Sequence, residues 1–462
     1  MEAGGTQARA IARGHETLAA WASGLSWQDV PQSIRGRAAL VLADDLAAIV
    51  AARDEPEIVA LQNGLAASSG PAEATVFNRR SQRLDRYSAA IANGSAADWC
   101  ELDEGYRRVI CHAGLYCVPA LLAEAEAAGA KGEDLLRALV VGYEVASRVA
   151  RTFTFKKLVL HPHGSLAAVG AAAAVAALRR LPVETLASSI ASAATMVMPA
   201  PYNHAIQGAL VRNVWPGVGG AIGLRAVDWA TIGIAGRPES LYDVYAGAFG
   251  ADVDPAALTD GLGESWALAD GYHKIHACCQ YAHSAVEASL ALMAKLPPGW
   301  STGSLARIRV ETHRYGLTLD NVHPKTTLAA KFSMQHILAA TAAFGHAGAA
   351  AFYAPTLDDP DIARLRQGVE IAAFEPQPAW PNDRPARVTW AFEDGRMLSE
   401  VCMSARGGPD RPFQAAEIEA KVVGIVDAVY PRMGGLLVPI MRLDRAGLHA
   451  CWASTVARMT EG

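Results

Sequence analysis

A chain of 462 residues is long enough for two or three domains, and its 51% hydrophobic content supplies a packed core, which excludes a disordered protein. A formal charge of −5 offers no basic footprint for neutralising phosphates, so no nucleic-acid partner is expected. A small anionic ligand would have to be attracted by local charge.

The N-terminus, Met-Glu-Ala-Gly-Gly-Thr, has none of the three regions of a signal peptide, which predicts a cytoplasmic protein. The first dozen residues are expected to fray. From residue 30 to about 265 apolar residues recur at three- and four-residue spacing, which predicts helices over Ile34–Ala52, Val118–Ala128, Glu133–Arg151, Ser165–Arg180, Val183–Met198 and Val218–Ile234. The alanine-rich run from Gly164 to Leu178 is shorter than the roughly 20 residues of a membrane span, so no membrane association is expected. It reads as a closely packed helix of a soluble body.

Near residue 270 the pattern changes. Leu305–Thr312, Val369–Phe374, Ala386–Phe392 and Met397–Ser404 collect β-formers, and Glu393-Asp394-Gly395-Arg396 predicts a hairpin turn with positive φ. Helices are expected around Ser284–Ala294, Thr326–Ala343 and Asp359–Gln367. Beyond a Gly/Pro-rich linker, Ala415–Tyr430 and Leu436–Thr455 read as helices again. The expected fold is mainly α with a smaller α+β domain: a helical domain over 1–268, completed by 405–462, and an α+β lid over 269–404.

Four stretches carry candidate chemistry. Asn93 to Glu104 places Asp98, Glu101, Asp103 and Glu104 within seven residues, with His112 just downstream. A solvated acidic loop would be the plain reading, but Trp99 and Leu102 argue against full exposure. His161-Pro162-His163 precedes the alanine-rich helix, where free N–H groups can hold an anion and a histidine can exchange protons. Arg212 stands in an apolar, glycine-rich stretch, and either grips a substrate carboxylate in two-pronged fashion or pairs with one of the acids upstream. His273 to His283 contains Lys274, His276, Cys278, Cys279 and Gln280 at the domain junction, where a partly desolvated lysine can bind an anion.

The seven cysteines form no C-x-x-C pair, and the His and Cys spacings lack a metal-ligand pattern, so neither a disulfide scaffold nor a metal is expected.

Taken in order, these stretches resemble the MmgE/PrpD family, which includes 2-methylcitrate dehydratases, cis-aconitate decarboxylases and iminodisuccinate epimerases. The landmarks are Asn93-Gly94 with the acids after it, His112 before Pro119, Gly142-Tyr143-Glu144-Val145, His161 before Gly170, the series Lys274, Cys279, His283, and Phe332-Ser333-Met334-Gln335. The resemblance covers about residues 30–430. It implies a homodimer without metal or organic cofactor, acting on a small di- or tricarboxylic acid. It assigns catalysis to His112, His161 and Lys274, and substrate binding to Asp98, Glu101, Asp103, Arg212, Cys279, His283 and Tyr315.

The chain departs from the family pattern at Asp98, where a histidine is usual, at Glu101, the first acid of an Asp-rich motif, at Arg212, where lysine is usual, and at Gln280, where arginine is common. The reading of the chemistry is histidine-mediated proton transfer beside a carboxylate. Dehydration ranks first, ahead of epimerisation and decarboxylation, with a non-catalytic carboxylate-binding protein as the rival class.

Overall fold

The computed structural model describes the backbone of residues 2–461 and the side chains of residues 4–461. The helical body contains α1 (Glu2–Gly24), α2 (Gln32–Ala51), α3 (Pro56–Ser68), α4 (Arg86–Trp99), α5 (Ala113–Ala128), α6 (Gly132–Thr152), α7 (Pro162–Leu178), α8 (Val183–Thr195), α9 (Asn203–Gln207) and α10 (Trp215–Thr231). The expected fraying at the N-terminus gives way to a helix. Ile11, Leu18, Ala19 and Ala22 share one buried stripe of α1, and burying it against α8 offsets the ordering cost.

Helix α7 is the hub. Every one of its residues is buried, and α5, α6, α8 and α10 surround it. Its alanines leave no bulky ridge, and α10 answers with glycines: a Cβ on Gly219 or Gly223 would stand 2.5 Å from the Cβ of Ala167 or Ala171. The two backbones therefore approach more closely than larger side chains would allow.

In the second half, β1 (Leu305–Thr312), β2 (Val369–Ala373), β3 (Ala386–Phe392) and β4 (Met397–Cys402) form one sheet in the order β4-β3-β1-β2. Only the β1–β2 pair is parallel. Strand β3 alternates buried and half-buried residues, the period of a sheet covered on one face. That face packs against α11 (His283–Met293), α12 (Met334–Phe344) and α13 (Pro360–Gln367). The expected hairpin turn is present, with Gly395 at φ +84°. The helix expected over Thr326–Ala343 is interrupted, because Ser333 ends one segment and caps α12 by accepting from the His336 N–H.

After the sheet, α14 (Ala415–Val426) packs on α2, and Lys421 reaches Asp44 at 2.6 Å. The helix expected over Leu436–Thr455 is three shorter ones, Met433–Met441, Arg445–His449 and Trp452–Thr460. Asp444 and Cys451 fall at their junctions in extended conformation.

Two short pairings bring distant segments to one place. Gly105–Tyr106 pairs with Gly271–Tyr272, setting the acidic loop beside Lys274. Leu160 bridges Pro201, setting His161 beside the segment that leads to Arg212.

Candidate active site

The end of α4 launches the acidic loop. Glu101 follows the helix with φ +52°, a left-handed conformation that disfavours side chains other than those of Gly, Asn and Asp. Holding a glutamate there costs on the order of 1 kcal/mol or more and persists because its surroundings fix it. Those surroundings are two cations. Arg212 Nη1 lies 2.7 Å from both carboxylate oxygens of Asp98 and 2.5 Å from Glu101 Oε1. Lys274 Nζ donates to Glu101 Oε2 and Asp103 Oδ1, each at 3.2 Å.

All five groups are buried, so their interactions are strong and mutually dependent. Burial opposes the charge of Glu101, yet Arg212 and Lys274 outweigh it and hold that carboxyl below its usual range. Burial likewise opposes Asp103, which Lys274 and His112 keep strongly ionised. Asp98 goes the other way: burial, with repulsion from Glu101 and Asp103, pushes it up despite Arg212. Lys274 overcomes its own desolvation through Asp103 and Glu101 and stays protonated, a fixed positive charge.

His112 precedes α5 and contacts Asp103 Oδ2 through Nδ1 at 2.5 Å. With Asp103 ionised, Nδ1 carries the proton and Nε2 is left as the exchangeable nitrogen.

His161 is the N-cap of α7. Its Nε2 lies 3.3 Å from Arg212 Nε and its Nδ1 lies 3.3 Å from the His163 backbone N–H. A neutral imidazole has one acceptor nitrogen, so only one of these contacts is a hydrogen bond at a time. Burial, with the charges of Arg212 and His112, holds His161 well below the ordinary histidine range, and it is neutral at pH 7.

Between the two sits His163, whose ring centroid is 5.0 Å from that of His112 and 4.3 Å from that of His161. It joins Asp98, at 3.0 Å, to Tyr116, also at 3.0 Å.

A narrow cleft opens onto this network. His112, His161, Glu101, Arg212, Lys274 and Cys279 line it. Asp98 and Asp103 stand behind the wall and reach the cleft only through Arg212, Lys274 and His112. His283 lies away from it, bonded to the Cys278 carbonyl and packed on His276. Tyr315 stacks on Tyr281 and faces a neighbouring cavity that shares Val109 and Ile110 with the cleft.

Tyr106, Tyr202, Tyr272, Tyr281 and Arg384 also line the cleft. The tyrosines carried no local motif. Arg384 sits in a proline-rich loop, between Asn382-Asp383 and Pro385, that carried no sequence signal.

Among the described residues no three His, Cys, Asp or Glu side chains converge in a way that could hold a metal ion, and the cysteines are free thiols. No described helix is long and apolar enough to cross a membrane.

Residues 16–257 match the MmgE/PrpD N-terminal domain and residues 276–434 match the MmgE/PrpD C-terminal domain. The chain belongs to the MmgE/PrpD family. Within it, the chain is 24% identical over 411 residues to a cis-aconitate decarboxylase from Aspergillus terreus, covering 82% of each chain. It is 25% identical over 441 residues to a cis-aconitate decarboxylase-like protein, oryM, from Aspergillus oryzae, covering 87% of this chain and 88% of the relative. In this MmgE/PrpD chain the four stretches read from the sequence come from α4, α5, α7, the turn before α10 and the strand pair at 271–272, and they meet at one cleft.

Proposed function

We propose that this MmgE/PrpD protein is a lyase that acts on a small di- or tricarboxylic acid, with His112 as its proton carrier. The observation that carries the reading is the ordered set Asp103, His112 and the cleft. An ionised carboxylate fixes the imidazole tautomer and leaves Nε2 free to take or give a proton. Lys274 and Arg212 also line the cleft, each held by acids of the protein, and their remaining N–H donors can face negative charge developing next to a substrate carboxylate.

Decarboxylation is the first reading. It needs one proton carrier: the bond to CO2 breaks, the electron pair moves into the adjacent unsaturated carboxylate system, and His112 returns a proton to carbon. His161, neutral at pH 7, then serves as a hydrogen-bonding partner rather than as a strong acid. The Aspergillus terreus relative, a cis-aconitate decarboxylase, points the same way. Dehydration, the first choice from sequence, is the second reading. The presence of two histidines on one cleft favours it, one to take the α-proton and one to assist the departing hydroxyl.

Incubating the protein in heavy water with cis-aconitate, 2-methylcitrate and related acids separates these outcomes by NMR. Decarboxylation releases CO2 and leaves one deuterium on carbon, dehydration releases water only, and epimerisation exchanges a proton without loss of either. Conversion that persists at the normal rate in His112→Ala would sink the assignment, as would binding without any exchange or conversion across the panel.

A further inference from the structure

Both cations that the sequence offered as carboxylate clamps are already engaged. Arg212 holds Asp98 and Glu101, and Lys274 holds Glu101 and Asp103, so two positive charges face acids of the protein itself. A substrate with two or three carboxylates still needs a guanidinium or ammonium of its own.

Arg384 has the required geometry. It lines the cleft, is 8% exposed, and its Nε has no hydrogen-bond partner. One guanidinium nitrogen, Nη1, donates to the side-chain oxygen of Gln280, which is neutral. The guanidinium lies over the ring of Tyr281, 5.0 Å from its centroid, which fixes its plane. The nearest carboxylate, Asp383, is 4.0 Å from Nε and is already gripped by Arg107 through Nη2 at 2.6 Å and Nη1 at 3.3 Å. Two guanidinium groups therefore share one carboxylate, leaving this wall with an uncompensated positive charge. The backbone is held as well, since the Arg384 carbonyl accepts from Ser284 Oγ at 2.6 Å.

Burying a guanidinium with an unused N–H is unfavourable unless an anion completes it. We infer that Arg384 is the specificity-determining residue that receives a substrate carboxylate, pairing with it through donors that no acid of the protein takes. The inference rests on the reading of the cleft as a carboxylic-acid site. It places the proton carrier His112 and the carboxylate receiver Arg384 on walls contributed by the two halves of the chain.

The test uses the full chain with cis-aconitate and with its monomethyl esters, each of which masks one carboxylate. Arg384→Ala is expected to raise KM for the free acid about 10- to 100-fold, the equivalent of one charge-assisted pair, with a smaller change in kcat. One ester should bind the wild type as weakly as the free acid binds the variant, and should lose nothing further in Arg384→Ala. Added guanidinium ion should restore part of the activity of Arg384→Ala, which a merely structural role would not permit. Equal losses for the acid and all its esters, with no guanidinium rescue, would overturn the inference.

Arg384→Lys keeps the charge but loses the planar fork and decides the matter if the alanine variant does not fold: it is expected to bind the acid more weakly than wild type, and wild-type binding would overturn the proposal. Calorimetric titration with the same acids separates the two proposals. Anion binding that depends on Arg384 without turnover would refute the lyase reading and uphold this one, whereas turnover that depends on His112 but is indifferent to Arg384 would do the reverse.

Discussion

Asp103 is the residue on which the proposed chemistry turns, because it touches both the proton carrier and the fixed charge: His112 at 2.5 Å and Lys274 at 3.2 Å. Replacing it by asparagine keeps the shape and removes the charge that selects the tautomer of His112. Asp103→Asn is expected to lower kcat by about 10²- to 10⁴-fold while the free acid still binds, because Arg384 does not contact Asp103. Wild-type kcat in a correctly folded Asp103→Asn protein would show that the tautomer does not matter. Arg212 illustrates what a sequence can offer at this scale and what it cannot. A lone arginine in an apolar stretch announced a partner, either a substrate or an acid upstream, and the choice required coordinates that place Asp98 and Glu101 on the same nitrogen. Arg212→Ala would leave those acids buried without their guanidinium, and a loss of about 3–5 kcal/mol of stability is expected in denaturant titration. His163 and Arg384 were harder to read. Neither residue type nor spacing distinguishes a histidine that bridges Asp98 and Tyr116 from a helix cap, and Arg384 meets the cleft through long-range contacts, the Arg107–Asp383 pair and the Ser284 bond to its carbonyl, that no local pattern announces.

At the scale of elements, the site depends on helices that touch through glycine. A Cβ on Gly94 would fall 2.5 Å from the Cα of Gly217 and 2.8 Å from its nitrogen, backbone atoms that have no side chain to swing aside. Helix α4 ends at Asp98 and Trp99, and α10 begins just after Arg212, so the same contact sets the distance between acid and guanidinium. Gly94→Ala is expected to cost about 1–3 kcal/mol in thermal or denaturant unfolding and to reduce activity beyond what the lost stability explains. An unchanged midpoint would mean that α4 and α10 can separate freely. Helices α3, α4 and α9 were not among the expected ones, whereas α2, α5, α6, α7, α8 and α10 were legible because three- and four-residue apolar spacing survives even where alanine dominates. Their interruptions were less so. Ser333 ends one helix and starts another within a run whose apolar pattern never breaks, and the cap is visible only in the hydrogen bond to His336. At the other end of the chain, the small and polar residues before Ile11 hid a helix that packing supports.

The whole molecule carries an unusual load of buried titratable groups, and their signs predict its pH response. His15, His276, His313 and His336 are pushed down to about 4 by burial, and His161, His163 and His283 move in the same direction. Unfolded, each takes a proton near 6.5 that the folded state refuses, so stability is lost as pH falls from about 6.5 toward 4. Glu104 and Glu144 behave oppositely. Burial raises them to about 8 and about 7, so the folded state keeps protons that the unfolded chain releases near 4.5, and stability is lost progressively as pH rises from about 4.5 up to 7 and 8. Asp45 and Asp98 add to that side, but the histidines outnumber the acids below 6.5. The stability maximum is therefore expected near pH 6.5, falling on both sides in a series of melting curves; a plateau extending to pH 9 would show that Glu104 and Glu144 do not hold their protons. The same scale governs closure of the cleft. His112 and His161 belong to the helical body, whereas Arg384 lies in the loop before β3, tied across by Arg107 to Asp383. If residues 269–404 act as a lid, an acid held between His112 and Arg384 links the two halves and should slow hydrogen exchange at 271–281 and 380–386, with lesser changes along the buried α7. Arg384→Ala should remove the gain at 380–386 and leave part of it at 271–281, where Lys274 still faces the ligand. Equal protection with and without saturating acid, in a protein that turns the acid over, would mean that the cleft is already closed before the substrate arrives.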